Sequence, residues 1–562
     1  MKKKVLALVL ALAMVAAMLA GCSGDKNPDD SANPSGQEGS SDLLEGNDND
    51  IVGGDAENTN YVRPSLTFNI SQFSVDPTKP RNAGQLTYSI YEMLYTTENG
   101  IGSAMVPLLA DASRGGDNSL GLAGMDHVDG SGEYFFYIYD YITDSAGNHI
   151  TASDVKFSFE KCLEGGQESG WGVITGWEAV DETTLKMTTT RDLDLKGELE
   201  NVVLRTCIFS EQAYNDSPSK FTADACGTGP YKITDYEQDY SVTCVARDDY
   251  WQTNEELRPR SQQANVAEFT AIVYNDDNTK SIALQSGDID VITQIASTAL
   301  SPFLDNGDYQ IYNYMQNGIH YLDLNVNEAS IMSNPTMREA IYYAINNEGL
   351  ATMLNAAGVT AYDPVIAFGH DVFGDYLTKW ESETTYVTEY NVERAKQLAT
   401  EAGYNGEKIY FLNASDTTGI VENVLNMLSD AGFNVELKSY DRNTVSAYLE
   451  DPTEWDIYYN MTMSSDYMTS LWSHVMDPAS FGGHTENFIV DDHYTELLEA
   501  AMSATATDDD VDAFWQYTLE NAYFYPLVRG VQSIILPAGE VTSVWMNDKN
   551  NFIPGACYYA EP

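Results

Sequence analysis

Apolar and polar positions alternate along Ser65-Leu66-Thr67-Phe68-Asn69-Ile70 with the period of a half-buried strand. The aromatic run from Tyr134 to Tyr141 reads as another strand, and residues 177–186 alternate on both sides of Asp181-Glu182, which predicts a hairpin. Between these, Ser153 or Asp154 is placed to cap a helix starting at Val155, with Val155, Phe159 and Leu163 on one face. Tyr231 to Thr234 and Tyr240 to Ala246 flank Glu237, Gln238 and Asp239, a second hairpin. It leaves a sharp bend at Gly227-Thr228-Gly229-Pro230, where the glycines allow positive φ and Pro230 fixes its own. A short helix carrying Ile282 and Leu284 is expected to stop at Gly287 and give way to a strand.

The second half of the chain has a different rhythm. Ile319 to Asn325 alternates as a strand, then Met337, Ala340, Ile341, Ala344 and Ile345 form the apolar stripe of a helix begun by Asn334-Pro335. Asn391 caps a helix with Val392, Ala395, Leu398, Ala399 and Ala402 inward, ended by Gly403. A strand (409–412), a helix (420–431, stopped by Gly432), a strand (435–437), a helix (444–449) and a strand (456–459) follow. Strands and helices alternating at this spacing predict βαβ units with parallel strands, an α/β arrangement.

The first sixty residues do not share this pattern. Lys2, Lys3 and Lys4 precede an apolar run from Val5 to Ala20, arranged as in a secretory signal peptide and short for a membrane span. Residues 23 to 60 are rich in Gly, Ser, Asn, Asp, Pro and Glu, and read as a flexible tether. At 562 residues, the chain is too long for a single core and is expected to form two or three domains. Its 85 acidic residues against 29 Lys and Arg exclude nucleic acid as a natural partner, because phosphates need basic side chains. That surplus fits either a solvated surface or a preference for cationic ligands.

Little chemistry is written beside these patterns. Besides Cys22 there are Cys162, Cys207, Cys226, Cys244 and Cys557, of which Cys207, Cys226 and Cys244 are the pool for one bridge, reduced buried thiols being the alternative. There is no CxxC pair, HExxH, EF-hand loop, Walker loop or GxSxG elbow, and His484-Thr485-Glu486 is isolated. Neither a metal nor another cofactor is expected. A secreted glycoside hydrolase would suit the many carboxylates, the 37 Tyr and the 8 Trp, but nothing selects a catalytic pair of acids.

Residues 226–251, CGTGPYKITDYEQDYSVTCVARDDYW, resemble the signature of the oligopeptide and dipeptide class of solute-binding proteins that serve ABC transporters (family 5). Further matches occur in order: Ile90-Tyr91-Glu92-Met93-Leu94-Tyr95, Pro107-Leu108-Leu109-Ala110, Leu284-Gln285-Ser286-Gly287-Asp288-Ile289-Asp290, and Met337-Arg338-Glu339-Ala340. Leu19-Ala20-Gly21-Cys22 is similar to the lipobox of bacterial lipoproteins, in which Cys22 becomes an acylated N-terminus. The resemblance implies a periplasmic-binding-protein-like type II α/β fold, with two lobes around a ligand cleft and a subdomain inserted in the first lobe. The corresponding boundaries are a signal peptide (1–21), an acylated Cys and tether (22–60), lobe 1 (61–320, with about 90–200 inserted), lobe 2 (321–520) and a return to lobe 1 (521–562).

What the resemblance implies about function is capture of a solute, commonly a short oligopeptide, by lobe closure, and delivery to an ABC permease and ATPase. It implies no bond chemistry, and a monomer held by lipid on the extracytoplasmic face of the cell membrane. Related members take oligosaccharides or nickel complexes, and a peptide-sensing receptor would share the fold. In peptide-binding members, a tryptophan, x, x, aspartate, tyrosine stretch presents a carboxylate to the peptide's α-ammonium; here it corresponds to Met463-Ser464-Ser465-Asp466-Tyr467. Asp466 and Tyr467 match, with Trp472 as a neighbouring source of the indole; a loop-capping or surface carboxylate is the other reading of Asp466. Phe73 lines the cleft in the family's pattern, or else fills a core at a strand end. Arg529 interrupts the apolar run 523–528 and must have a partner, either a ligand carboxylate or an internal acid.

Overall fold

The computed structural model describes residues 60–561 apart from 71–74, 80–83, 99–103, 120, 166–172, 194–197, 275, 296–298, 305, 356–361, 365–389, 415–418, 464–475, 479–482, 504–506 and 548–550. The alternating segment near Leu66 becomes the strand Arg63–Ile70, which pairs in parallel with Val266–Val273. Ser241–Ala246 and Tyr231–Glu237 complete a four-stranded sheet in antiparallel fashion, the latter two forming the expected hairpin. Leu66, Phe68, Tyr231 and Phe269 from this sheet bury themselves with Ile534, Trp545 and Tyr559 from the end of the chain.

The bend before the hairpin is built differently from the expectation. Gly227 and Gly229 do not adopt positive φ. They are needed for space: a Cβ on Gly227 would lie 2.1 Å from the carbonyl oxygen of Ile90, and one on Gly229 would lie 2.7 Å from it. Arg247 holds the bend from the other side, its guanidinium donating to the carbonyls of Thr228 (3.0 Å), Gly229 (3.1 Å) and Asp144 (2.9 Å). Tyr250 and Trp251, at the end of the same motif, both donate to the buried carboxyl of Glu92, the indole at 2.7 Å. Two of the sequence landmarks therefore form one contact.

A separate antiparallel sheet runs in the order Met125–His127, Glu133–Tyr137, Thr184–Thr189, Ile174–Ala179. The helix Ala152–Glu164 covers it, with Phe159 stacked on Trp177 at 4.2 Å. This helix starts earlier than the sequence suggests. Thr151 is its N-cap residue, and Asp154 accepts from the Thr151 backbone N–H (2.8 Å) and hydroxyl (2.7 Å). Val155, Ser158, Phe159 and Cys162 form the buried face, whereas Leu163 is exposed, because it lies one residue past the inward row.

The later half folds on a seven-stranded sheet. Its path is Ile292–Ile295, Phe524–Pro537, Tyr309–Leu324, Ile457–Met463, Lys408–Ala414 and Asn434–Tyr440, with Tyr362–Pro364 pairing beside Phe524–Pro537. Lys408–Ala414 is parallel to both of its neighbours, as the βαβ reading requires. The connecting helix Val392–Glu401 buries Ala395, Leu398 and Ala399 of its expected inward row, with Val392 and Ala402 half-buried at its ends, and Ile420–Asp430 buries Val421, Val424 and Leu428. Asn391 caps the first, accepting from Arg394 N–H at 3.0 Å. The helix Asp277–Ser286 ends at Gly287, whose φ of 79° is the left-handed conformation a Cβ disfavours.

Cys162, Cys207, Cys226, Cys244 and Cys557 are all free thiols, so the bridge considered among Cys207, Cys226 and Cys244 does not form. Burial pushes the Cys226 and Cys557 thiols up to about 11. Among the described residues, no helix is long and apolar enough to cross a membrane.

Candidate functional site

The strands Tyr309–Leu324 and Phe524–Pro537 run antiparallel from Tyr309 opposite Pro537 to Asp323 opposite Phe524. Their two ends are buried in different places. Tyr312, Ile534 and Leu536 pack with Leu66, Phe68 and Phe269, whereas Ile319, Tyr321, Leu527 and Val528 pack with Ile341, Phe411 and Trp515. Both strands thus pass from one core to another, and the pairing is irregular between Met315 and Ile319, where they cross. A pair of crossing strands is a natural floor for a cleft, since domain interfaces are favoured ligand sites.

The crossing is polar where the ends are apolar. Ser533 Oγ donates to Asn313 Oδ1 at 2.8 Å. Thr293 N–H donates to Asn69 Oδ1 and its hydroxyl to Asn69 O, both at 2.8 Å, which ties the end of the first strand to the crossing. His320 Nδ1 lies 2.6 Å from the Tyr459 hydroxyl, and burial pushes the imidazole down to about 4, so it is neutral at neutral pH. Arg529 is half-buried and stands opposite Ile319 on one side and Asp363 on the other. It is the permanent cation of residues 313–320 and 528–533.

Next to the crossing lies a buried pair of acids. Asn460 Nδ2 donates to Tyr321 Oη (2.7 Å), Glu486 Oε2 (2.9 Å) and Asp323 Oδ2 (3.3 Å). Asp323 Oδ1 has no hydrogen-bond partner among the described residues. Burial first, and then the neighbouring Glu486 carboxyl, push Asp323 well up; burial pushes Glu486 up to about 7. Low dielectric and mutual repulsion keep a proton on this pair near neutrality.

Of the residues singled out in the sequence, Arg529 is at the crossing. Phe73, Asp466, Tyr467, Trp472 and Cys22 lie outside the described residues. Phe73 belongs to the segment after Asn69, and Asp466 to the segment after the strand Ile457–Met463, which pairs with Tyr309–Leu324 from Gly318 opposite Met463. Sequence reasoning did not single out Asn69, Asn313, His320, Asp323, Asn460 or Ser533; a polar residue interrupting an otherwise apolar strand was the available signal.

A family model described as "Bacterial extracellular solute-binding proteins, family 5 Middle" matches residues 104–480. The nickel-binding protein NikA of Staphylococcus aureus is 22% identical over 325 residues, which cover 56% of this chain and 60% of that protein. The oligopeptide-binding protein OppA of Bacillus subtilis is 20% identical over 462 residues, covering 74% of this chain and 78% of that protein. Among solved structures, the ABC transporter substrate-binding protein CtaP of Listeria monocytogenes superposes with a TM-score of 0.70 at 18% identity, over 89% of this chain and 100% of that one. That likeness establishes the type II periplasmic-binding-protein fold.

Proposed function

The chain belongs to family 5 of the bacterial extracellular solute-binding proteins, and from that premise we propose that it captures short oligopeptides for an ABC importer by closing its lobes around them. The observation that carries the reading is the pair of strands joining two separately packed cores, with a polar stretch at their crossing. The core around Leu66 and Phe68 gathers residues from 66–291, Tyr312 and residues from 534–559, and the other gathers residues from 319–528. This supports lobes divided near 320, with the return to lobe 1 after Val528 rather than at 521. The sheet around Glu133–Tyr137 is the insertion within about 90–200.

In this reading Arg529 faces the carboxylate of the ligand, Asp466 and Tyr467 its ammonium end, and Trp472 and Phe73 its side chains. Charged hydrogen bonds in a closing, water-poor cleft give the closed form its preference for the ligand, and that preference sets how far the population shifts. Cys22 carries the lipid that holds the protein at the membrane, and the closed form docks on a permease. The oligopeptide-binding relative supports peptide as ligand. A nickel complex is the second reading, favoured by the nickel-binding relative. Neither reading involves catalysis, in keeping with the solute-binding description of the family.

The test is a calorimetric titration with short peptides beside oligosaccharides and a nickel–histidine complex. Micromolar or tighter binding of free peptides alone is the expected result. Binding of the nickel complex or a sugar with no peptide binding overturns the peptide assignment.

A further inference from the structure

The inserted sheet carries a cluster that the solute-binding reading does not use. His127, Asp129 and Asp192 bring their ligating atoms within 4.8 Å of one another. His127 ends the strand Met125–His127, Asp129 sits in the turn to Glu133–Tyr137, and Asp192 follows Thr184–Thr189. The imidazole is buried, 5% exposed, and lies flat on its cross-strand partner Tyr134, the ring centroids 4.0 Å apart and the planes 4° from parallel. Its Nδ1 is 2.8 Å from the carbonyl oxygen of Glu133. A carbonyl can only accept, so Nδ1 bears the proton and Nε2 is the atom turned toward Asp192, 3.3 Å from Oδ2.

Asp192 is held as firmly. Gly130 N–H and Gly132 N–H donate to its carboxylate, the latter at 2.9 Å. The neighbouring Leu193 N–H donates to Tyr134 Oη at 2.7 Å. One tyrosine therefore fixes both the plane of the histidine and the position of the segment bearing the aspartate. Gly132 cannot gain a side chain without meeting Thr189 O at 2.7 Å, so the turn between the two is held close to the neighbouring strand.

From this arrangement we propose that His127, Asp129 and Asp192 form a binding site for a divalent transition-metal ion, zinc being the probe. Bonds of about 2.0–2.1 Å in a tetrahedral shell place neighbouring donors about 3.4 Å apart, and Nε2 and Oδ2 stand at 3.3 Å. Asp129 is exposed on its turn and closes the remaining distance by a side-chain rotation. Two carboxylates balance the dication, the neutral imidazole supplies the borderline-soft donor, and water completes the shell. The Glu133 carbonyl behind Nδ1 is the outer partner that metal-bound histidines commonly have. The metal joins the turn 128–132 to the chain at Asp192, away from the crossing strands, and is not the transported solute. The rival is a plain ion pair between a protonated His127 and Asp192, which needs neither Asp129 nor a metal.

The full chain, stripped with a chelator, is titrated calorimetrically with Zn²⁺, alongside Asp129→Asn and His127→Gln. Because Asp129 is exposed, its variant leaves folding intact. One zinc per chain is expected, weakened about tenfold or more by Asp129→Asn and lost in His127→Gln, with X-ray absorption of the zinc form showing one imidazole among oxygen donors. Absence of stoichiometric uptake, or uptake of undiminished affinity in both variants, overturns the site. Peptide titration of Asp129→Asn keeps the two proposals apart, since its peptide affinity should equal that of the wild type.

Discussion

Glu92 offers a test of the contact between the two landmarks. Its side chain is fully enclosed and accepts from Tyr250 and Trp251. Burial pushes its carboxyl up from an ordinary 4.5 to about 7, against the opposing pull of those two hydrogen bonds and the Arg247 charge. A carboxyl whose pKa is raised on folding favours the folded state while protonated. Its contribution is complete below about pH 4.5 and is lost as pH rises to about 7. At about 1.4 kcal/mol per pH unit, the loss is about 3 kcal/mol. Glu92→Gln remains neutral throughout, keeps an acceptor for the indole and offers a donor to the tyrosine hydroxyl. Urea unfolding followed by tryptophan fluorescence, from about pH 5 to about pH 8, should show the variant gaining on the wild type by about 3 kcal/mol. Stability curves that stay parallel across that range would refute the reasoning.

Gly227→Ala should destabilise severely, by about 3 kcal/mol or more, because the new Cβ meets backbone at 2.1 Å. Gly287→Ala, with open space around its left-handed backbone, should cost only about 1–2 kcal/mol; thermal unfolding of the pair checks the order. Arg529→Ala should weaken peptides with a free C-terminal carboxylate by about 1.5–3 kcal/mol and leave amidated peptides unaffected, as read by calorimetry. Asp466→Ala should do the same for free amino termini and spare N-acetylated peptides. Equal losses for blocked and free peptides would remove these two roles.

The sequence was most legible where its signals are local. Asn391, Gly287 and Asn334-Pro335 act on the turn of helix they touch, so the elements they bound stand within a few residues of expectation. Local signals also misled: Ser153 and Asp154 both suit a cap, and only the backbone shows that Thr151 is the cap residue with Asp154 returning to it. Contacts across long separations were not legible. Glu92 and Tyr250 are 158 residues apart, and the acids Asp323 and Glu486, distant in sequence, share Asn460 on the strand Ile457–Met463. The glycines of the 227–229 bend were located correctly but for a reason of torsion, whereas the structure requires them for close approach to Ile90. At the candidate site, Arg529 stood out as a cation in an apolar strand, but the polar groups around it are spread over several strands and share no spacing.

The most direct measurement is native, then denaturing, mass spectrometry of the protein purified without refolding. The account predicts a closed form carrying one short peptide, released on denaturation. A sugar or a nickel complex released in its place would contradict the peptide assignment, and release of a cleaved substrate's products would contradict solute binding itself.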